Sequence, residues 1–392
     1  MNSVSKRSVP TAAGSTYVAQ VYDSLSALPA HYAPLFSRAG NASVFLTLPW
    51  FKNYVQSVLA PDERLRIYAV ETAQAPSQAC AVLIMQYRAS SASPLGFKLL
   101  SGLTNYYSSL YGAVIEPGLP DALPVFDALA AAITADHLRW DEIDLHPLAI
   151  DEPHFTGLIT ALRKAGMLVQ TYFCFGNWYL EVNNQPFLEY LKGRPSRISK
   201  TGNRMRRVLE SGGKFRFELY TGTDKLEQAF NDYNTIYNSS WKVPEPHPNF
   251  IAGLIRTCAE QGWLRLGIAY MENEPAAAQI WIVVGEQASI YKMAYDERFA
   301  KHSVGTVLSS LLMEHVIEVD NVKVVDYLTG DDSYKRDWMS HRRERWGIRA
   351  FNTRTPYGLF AAARHIGGRA VRRTVDAVRK FRSITPETKK TQ

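Results

Sequence analysis

Two periodicities of apolar positions alternate along the chain, and the change between them is sharpest from 289 to 338. Residues 289–295 run aromatic and apolar without a breaker and predict a strand. The polar, charged stretch 296–303 reads as a loop. From Gly305 onward, Leu308, Leu311, Leu312, His315 and Val316 keep the three-and-four spacing of one helix face. The β-branched run 322–328 then predicts a second strand. Strand, loop, helix and strand make a βαβ unit. Its glycine stands at the helix start, where unpaired backbone N–H groups attract anions.

The same reading orders the rest of the chain. In the first half, 17–36 reads as partly helical, broken at Pro29 and Pro34, and 44–56 as a helix opened by Pro49. Strands are predicted at 65–71, 79–88, 112–115, 142–145 and 169–182, with helices at 123–136 and 155–166. In the second half a basic helix at 194–210 ends at Gly212-Gly213, and a strand follows at 215–219. Helices are expected at 224–240, capped by Asp224, and at 250–261. Three antiparallel strands at 264–271, 277–284 and 289–295 precede the crossover, and 345–351 supplies a last strand. The expected fold is mixed α/β, built as two domains of similar element order at 17–182 and 183–355. A disordered leader at 1–16 and a basic amphipathic helix with a tail at 356–392 flank them.

Composition narrows the class. At 392 residues the chain exceeds one ordinary core, and 46% hydrophobic with 21% charged residues is globular, not disordered. No apolar run approaches the ~20 residues of a membrane helix. The N-terminus lacks the apolar segment of a secretory signal, so a cytoplasmic location is expected. Cys80, Cys174 and Cys258 fit neither a disulfide framework nor a metal knuckle, and no metal is expected. The net charge of +7 is concentrated in two places. One holds Lys192, Arg194, Arg197, Lys200, Arg204, Arg206, Arg207, Lys214 and Arg216 against Glu210. The other holds Arg364, Arg369, Arg372, Arg373, Arg379, Lys380 and Arg382 against Asp376. The remainder is acidic, which argues against a uniform polyanion-binding surface.

Several motifs of the second half resemble the GNAT acyltransferases, CelD/BcsL-type acetyltransferase domains above all and FemAB-like aminoacyl transferases more distantly. They are Ser240-Trp241-Lys242, Ala294-Tyr295-Asp296, Ser303-Val304-Gly305, Asp326-Tyr327-Leu328-Thr329-Gly330, and Tyr334-Lys335 with Trp338. Val304 departs from the resemblance, standing where that family usually has proline, and only Gly305 remains of the loop's several glycines. The resemblance implies two tandem GNAT-like domains of mostly antiparallel sheet flanked by helices. The first would be degenerate and the second catalytic, with acetyl-CoA or another acyl-CoA as donor substrate.

Residue roles follow from the same resemblance. Tyr295, Asp296, Ser303, Val304, Gly305, Thr306 and Val307 would hold the donor, the last three offering backbone N–H groups to its pyrophosphate. Gly305 also suits an ordinary strand-to-helix turn. Tyr334 stands about where a tyrosine would protonate the departing thiolate, and a phenol of pKa ~10 suits a thiolate of pKa ~8–9. Its ring could equally pack on the sheet. Lys335 joins it as a catalytic candidate, or else holds a phosphate or the fold's own carboxylates. Asp326 is preferred to Asp296 as the carboxylate that accepts the amine's proton. The alternatives are that Asp296 caps the following turn and that Asp326 pairs with an arginine of the RRERW segment. Trp241 and Lys242 suit the acceptor side, burial of the indole between domains being the alternative. His247 and His302 are lone loop histidines without metal spacing.

The basic run 194–207 contains no aromatics for base stacking, so nucleic acid is not an expected partner. It reads as a solvated face or a patch for an anionic substrate. The C-terminal helix either rests on an anionic membrane surface, as a peripheral contact, or docks on the domain. The expected function is an acyl-CoA-dependent N-acyltransferase acting on an amine. The resemblance implies an amino sugar of exopolysaccharide or envelope synthesis as acceptor. Alternatives are a FemAB-like transferase using aminoacyl-tRNA and a non-catalytic GNAT-fold scaffold of a polysaccharide synthase.

Overall fold

The computed structural model describes residues 7–9, 16–74, 77–89 and 96–367. Its strands, in chain order, are β1 (Arg7–Val9), β2 (Tyr17–Tyr22), β3 (Glu63–Thr72), β4 (Ala79–Arg88), β5 (Leu99–Gly102), β6 (Val114–Ile115) and β7 (Glu142–Ala149). They continue as β8 (Leu168–Glu181), β9 (Phe215–Tyr220), β10 (Leu264–Met271), β11 (Glu274–Val284), β12 (Gln287–Tyr295), β13 (Val324–Asp326) and β14 (His341–Phe351). All belong to one sheet, ordered β1-β2-β3-β4-β5-β7-β14-β8-β13-β12-β11-β10-β9, with β6 beside β4. Only β5/β7 and β12/β13 pair in parallel among the described strands, one such pair in each half. The molecule is therefore mixed α/β, with a mostly antiparallel sheet flanked by helices.

The two halves exchange their last strands. β14, from the end of the second half, pairs with β7 of the first, and β8, from the end of the first half, pairs with β13 of the second. β8 and β14 then pair with each other from His341↔Tyr179 to Phe351↔Leu168. Helices cover both faces of the sheet. That is why β4 reads as the apolar run Ala79–Met85, all buried, instead of alternating. A further bond between the halves lies off the sheet, where the Leu48–Ser57 helix packs on the Pro248–Glu260 helix. There Trp50 meets Phe250 edge-on at 5.4 Å, and buried Asn53 donates to the Phe250 carbonyl at 3.1 Å.

The meander and the crossover stand where the periodicity placed them. Val304, Val307, Leu308, Leu312 and Val316 of the Val304–Glu318 helix are buried against the sheet. Several local expectations are corrected. Residues 17–22 form a strand, β2, because they find the edge of β3, and the helix begins only at Ala33. The 226–238 helix starts after Lys225 in a left-handed conformation, without an Asp224 side-chain cap. The 296–303 loop contains a 3-10 turn at Glu297–His302, capped by Asp296. β13 is three residues long because Leu328 turns left-handed at φ 56°. Within 1–16, Arg7–Val9 add an edge strand to β2.

Residues 356–367 are helical, and Ala361 and Ala362 pack on Phe351. The expected membrane-facing positions Arg369, Arg372, Arg373 and Arg379 lie outside the described residues. Among the described residues, no helix is long and apolar enough to cross a membrane.

Phe250 is fully buried between the halves, so Phe250→Ala is expected to lower the unfolding free energy by about 3–5 kcal/mol in urea titration. A loss within about 0.5 kcal/mol would mean the halves are not joined through this ring.

Candidate functional site

The site forms where β12 and β13 part. They pair in parallel only over Gln287–Ser289 and Val324–Asp326, after which the chains diverge. A register shift in β12 against β11 makes Tyr291 an extra residue, and a bulge of this kind bends its strand. The opening is a pocket of about 290 Å³, lined on one side by Ile290, Lys292 and Met293 and on the other by Tyr327, Leu328 and Thr329. Lys242, Tyr334, Lys335 and Asp332 complete its mouth.

Three ammonium groups thus face one carboxylate in this pocket. Lys335 is buried and donates to the Thr329 carbonyl, with Asp332 at 3.5 Å. Its burial lowers the ammonium pKa, against the pull of Asp332. Burial likewise lowers Lys242, with the charge of Lys292 adding to it. Tyr334 sets its ring edge-on to Tyr327 at 5.6 Å, and its hydroxyl makes no hydrogen bond among the described residues. Partial burial and the charge of Asp332 push its pKa up to about 12, so the phenol stays protonated at neutral pH.

Lys292 is held by Glu245 at 2.6 Å. Tyr106, Tyr107 and Tyr237 donate to the same carboxylate at 2.8, 2.9 and 2.8 Å. Burial raises this carboxyl, but Lys292 and the tyrosine hydroxyls outweigh it and keep it below the usual range. This cluster is not legible in the sequence. Its only signals are a lysine inside the apolar run of β12 and a lone acid in the proline-rich loop, both in the second half, while Tyr106 and Tyr107 come from the first.

A second group gathers at the far end of β12. The Tyr295 ring lies between Trp241, at 4.6 Å, and Gly305. A Cβ at position 305 would come within 3.3 Å of that ring, so the glycine permits this approach. Ser303 is left-handed at φ 52° and its side chain does not cap the helix. The first-turn N–H groups of Val304, Gly305 and Thr306 have no partner within the helix itself. Buried Gln279 ties that turn to the sheet, donating to the Gly305 carbonyl at 3.0 Å and to Ser309 at 2.7 Å. Val304 and Val307 send their side chains into the core, and the Val307 N–H donates to the Ser303 carbonyl at 3.0 Å. Val307 therefore does not offer the N–H expected of it, and the open donors are those of Val304, Gly305 and Thr306. Asp296 caps the preceding turn, accepting from the Arg298 N–H at 2.9 Å, and its carboxyl is lowered by Arg298. Trp241 is 54% exposed and not buried between the halves. Lys242 lies 5.5 Å over its ring and so links this end to the pocket.

Asp326 does not join Tyr334. It is buried in a cluster with Asn177 of β8 and Arg343 of β14. One oxygen accepts from Asn177 at 2.6 Å and from the Leu328 N–H at 2.7 Å, and the other from Arg343 at 2.5 Å. Asn177 also donates to the Leu328 carbonyl at 2.9 Å and accepts from Arg343 at 2.7 Å. A leucine in the left-handed region costs about 1–2 kcal/mol, and the two hydrogen bonds on its own peptide groups hold it there. The basic run is likewise partly engaged: Arg194 donates to the Met339 carbonyl, Arg197 pairs with Asp337 and Arg206 with Glu314. Among the described residues, no group of three or more histidine, cysteine, aspartate or glutamate side chains could hold a metal ion.

Residues 196–336 match the acetyltransferase (GNAT) domain family, and this segment spans β12, β13 and both ends of the site. No curated protein sequence matches the chain. Among solved structures, FemX is similar at a TM-score of 0.57 and 10% identity, over 84% of this chain and 97% of that one. A conserved protein of unknown function from Bacteroides thetaiotaomicron VPI-5482 is similar at 0.51 and 9% identity, over 83% and 98%. A tandem GNAT protein from the clavulanic acid biosynthesis pathway gives 0.47 at 12% identity, over 84% and 98%. At such identities the likeness is one of fold, and activity has to be argued from the site.

Removing one partner of a buried ion pair strands the other. Arg343→Met is expected to cost about 3–5 kcal/mol in chemical denaturation, and adding Asp326→Asn should recover much of it. Additive losses in the double variant would contradict the coupling.

Proposed function

We propose that the protein transfers an acyl group from acyl-coenzyme A to an amine, with the parting of β12 and β13 as the reaction cleft. The observation that carries this reading is the continuity of β12 from its end at Tyr295 to its middle at Ile290–Met293. One end lies beside Gly305 and the unpaired N–H groups of a helix start, which suit a pyrophosphate. The middle of the strand lines the pocket of Lys242, Lys292, Tyr334 and Lys335, into which a thioester could extend. The match of residues 196–336 to acetyltransferase domains supports the donor class.

In this reading the amine nitrogen attacks the thioester carbonyl directly, the C–N bond forms and the C–S bond breaks. The thiolate takes its proton from the Tyr334 hydroxyl, and the amine loses its proton to water. Lys335 holds the Thr329 carbonyl and with it the wall of the cleft. Asp326, with both oxygens engaged, acts as a positioning residue through Leu328. Rate enhancement then comes chiefly from positioning and from fixed charge. The arginines of the basic run that bind within the chain are not free for RNA, which favours coenzyme A over aminoacyl-tRNA as donor. By resemblance the acceptor class is an amine, such as an amino sugar of polysaccharide synthesis or a related acceptor.

Calorimetry with acetyl-CoA tests the donor: binding is expected, and Gly305→Glu should abolish it by meeting Tyr295 and placing a negative charge at the helix start. Retained binding in that variant, or tRNA binding in place of acetyl-CoA binding, would overturn the assignment. Tyr334→Phe should lower kcat by about a hundredfold or more without changing acetyl-CoA affinity. Because its pKa is raised to about 12, the wild-type rate should show no tyrosine-dependent decline below about pH 10. Unchanged turnover in the phenylalanine variant removes Tyr334 from the proton-donor role.

A further inference from the structure

A second cavity, of about 320 Å³, lies where the exchanged strands cross. Its walls are largely apolar, with Phe45, Leu46, Leu110, Leu148, Phe155 and Leu158 among them. One wall is the face of β14 that carries Arg343 and Arg345, two residues apart and hence on the same side of the strand. Arg343 is matched by Asp326. Arg345, only 4% exposed, has just a loose ion pair with Asp151 at 3.8 Å.

The surroundings of Arg345 are poor for a guanidinium. Its Nε and Nη1 have no hydrogen-bond partner among the described residues. Its Nη2 reaches only the Asn177 oxygen, at 3.4 Å, which already accepts from Arg343 at 2.7 Å. The nearest carboxylate, Asp151, stands 3.8 Å away from Nη1 and is half exposed at the rim, and Glu152 lines the same side. Burial, reinforced by the neighbouring charge of Arg343, pushes its pKa down to about 10. A buried cation with free donors is costly, and a planar fork of donors is shaped for a carboxylate or phosphate.

We infer that this cavity binds an organic anion with an apolar body, whose carboxylate or phosphate group sits on the open donors of Arg345. Ser109 and Leu328 line both this cavity and the reaction pocket, and Ser109 is hydrogen-bonded to Thr329 at 2.7 Å where the two adjoin. The anion is accordingly the acidic end of the acceptor, whose amine reaches the cleft past Leu328; this identification rests on the acyl-transfer reading. The acceptor class is thereby an amine that also carries an acidic group.

The test uses the full chain with hexanoate, hexyl phosphate and neutral hexanamide as probes, followed by calorimetry or by ¹⁵N-arginine side-chain shifts. Hexanoate or hexyl phosphate should bind at least about tenfold more tightly than hexanamide, and whichever anion binds tighter identifies the acidic group. Arg345→Met should remove that preference while its Tm stays equal or rises, because a buried charge with only a loose partner has been deleted. A purely structural arginine would lower Tm on the same substitution. Arg345→Lys keeps the charge without the fork and should recover only part of the preference. Equal binding of anion and amide, no binding of any probe, or an Arg345→Met variant that binds like wild type overturns the proposal. Acetyl-CoA affinity measured on the same preparations reports the donor cleft separately, so a failure there is distinguishable from a failure here.

Discussion

Three strands, one from the first half and two from the end of the second, meet at the contact of Asn177, Asp326 and Arg343. β8 belongs to the first half, β13 follows the crossover of the second, and β14 returns from the second half into the sheet of the first. A dry carboxylate there requires both its cation and its amide, since removal of either leaves a buried polar group without a partner. The same contacts fix Leu328 in a left-handed conformation, and its cost of about 1–2 kcal/mol is smaller than the charge-assisted bonds that impose it. That turn ends β13 after three residues. Had the strand continued beside β12, the ladder would have closed and no cleft would exist between them.

The cleft is therefore a consequence of strand exchange. β13 is flanked by β8, so it needs no long pairing with β12 to be held in the sheet. The bulge at Tyr291 bends β12 on the other side of the opening. Lys335 and Thr329 close one wall, while Glu245 brings Lys292 to the other. The fold delivers cationic groups and a protonated phenol to one place, and those groups suit a donor with phosphates and a thiolate leaving group.

Much of this arrangement was legible in the residues that form local periodic structure. The meander of β10, β11 and β12, the helix from Val304 and the strand at 324–326 all follow from apolar spacing, and they carry the motifs resembling acetyltransferases. Contacts between distant segments were less legible. The pairing of Asp326 with an arginine of the RRERW segment was one of the readings the sequence offered, and Arg343 meets it. Nothing in the spacing announces that Asn177 joins them, nor that Glu245 collects three tyrosines and a lysine. The residues of β2 read as part of a helix because their strand character depends on the edge of β3, a tertiary partner. Asp326 illustrates the same gap at the site. Read in sequence it sits among cleft residues, yet its side chain is committed to the junction and faces the other cavity.

The central claim is that a coenzyme A thioester lies along β12, between the start of the Val304–Glu318 helix and the Tyr334 pocket. Hydrogen–deuterium exchange of the full chain with and without acetyl-CoA addresses it most directly. Protection confined to peptides covering 287–295, 303–308 and 326–335 is the predicted result. No protection there, or protection confined to strands β2 to β7, would contradict it.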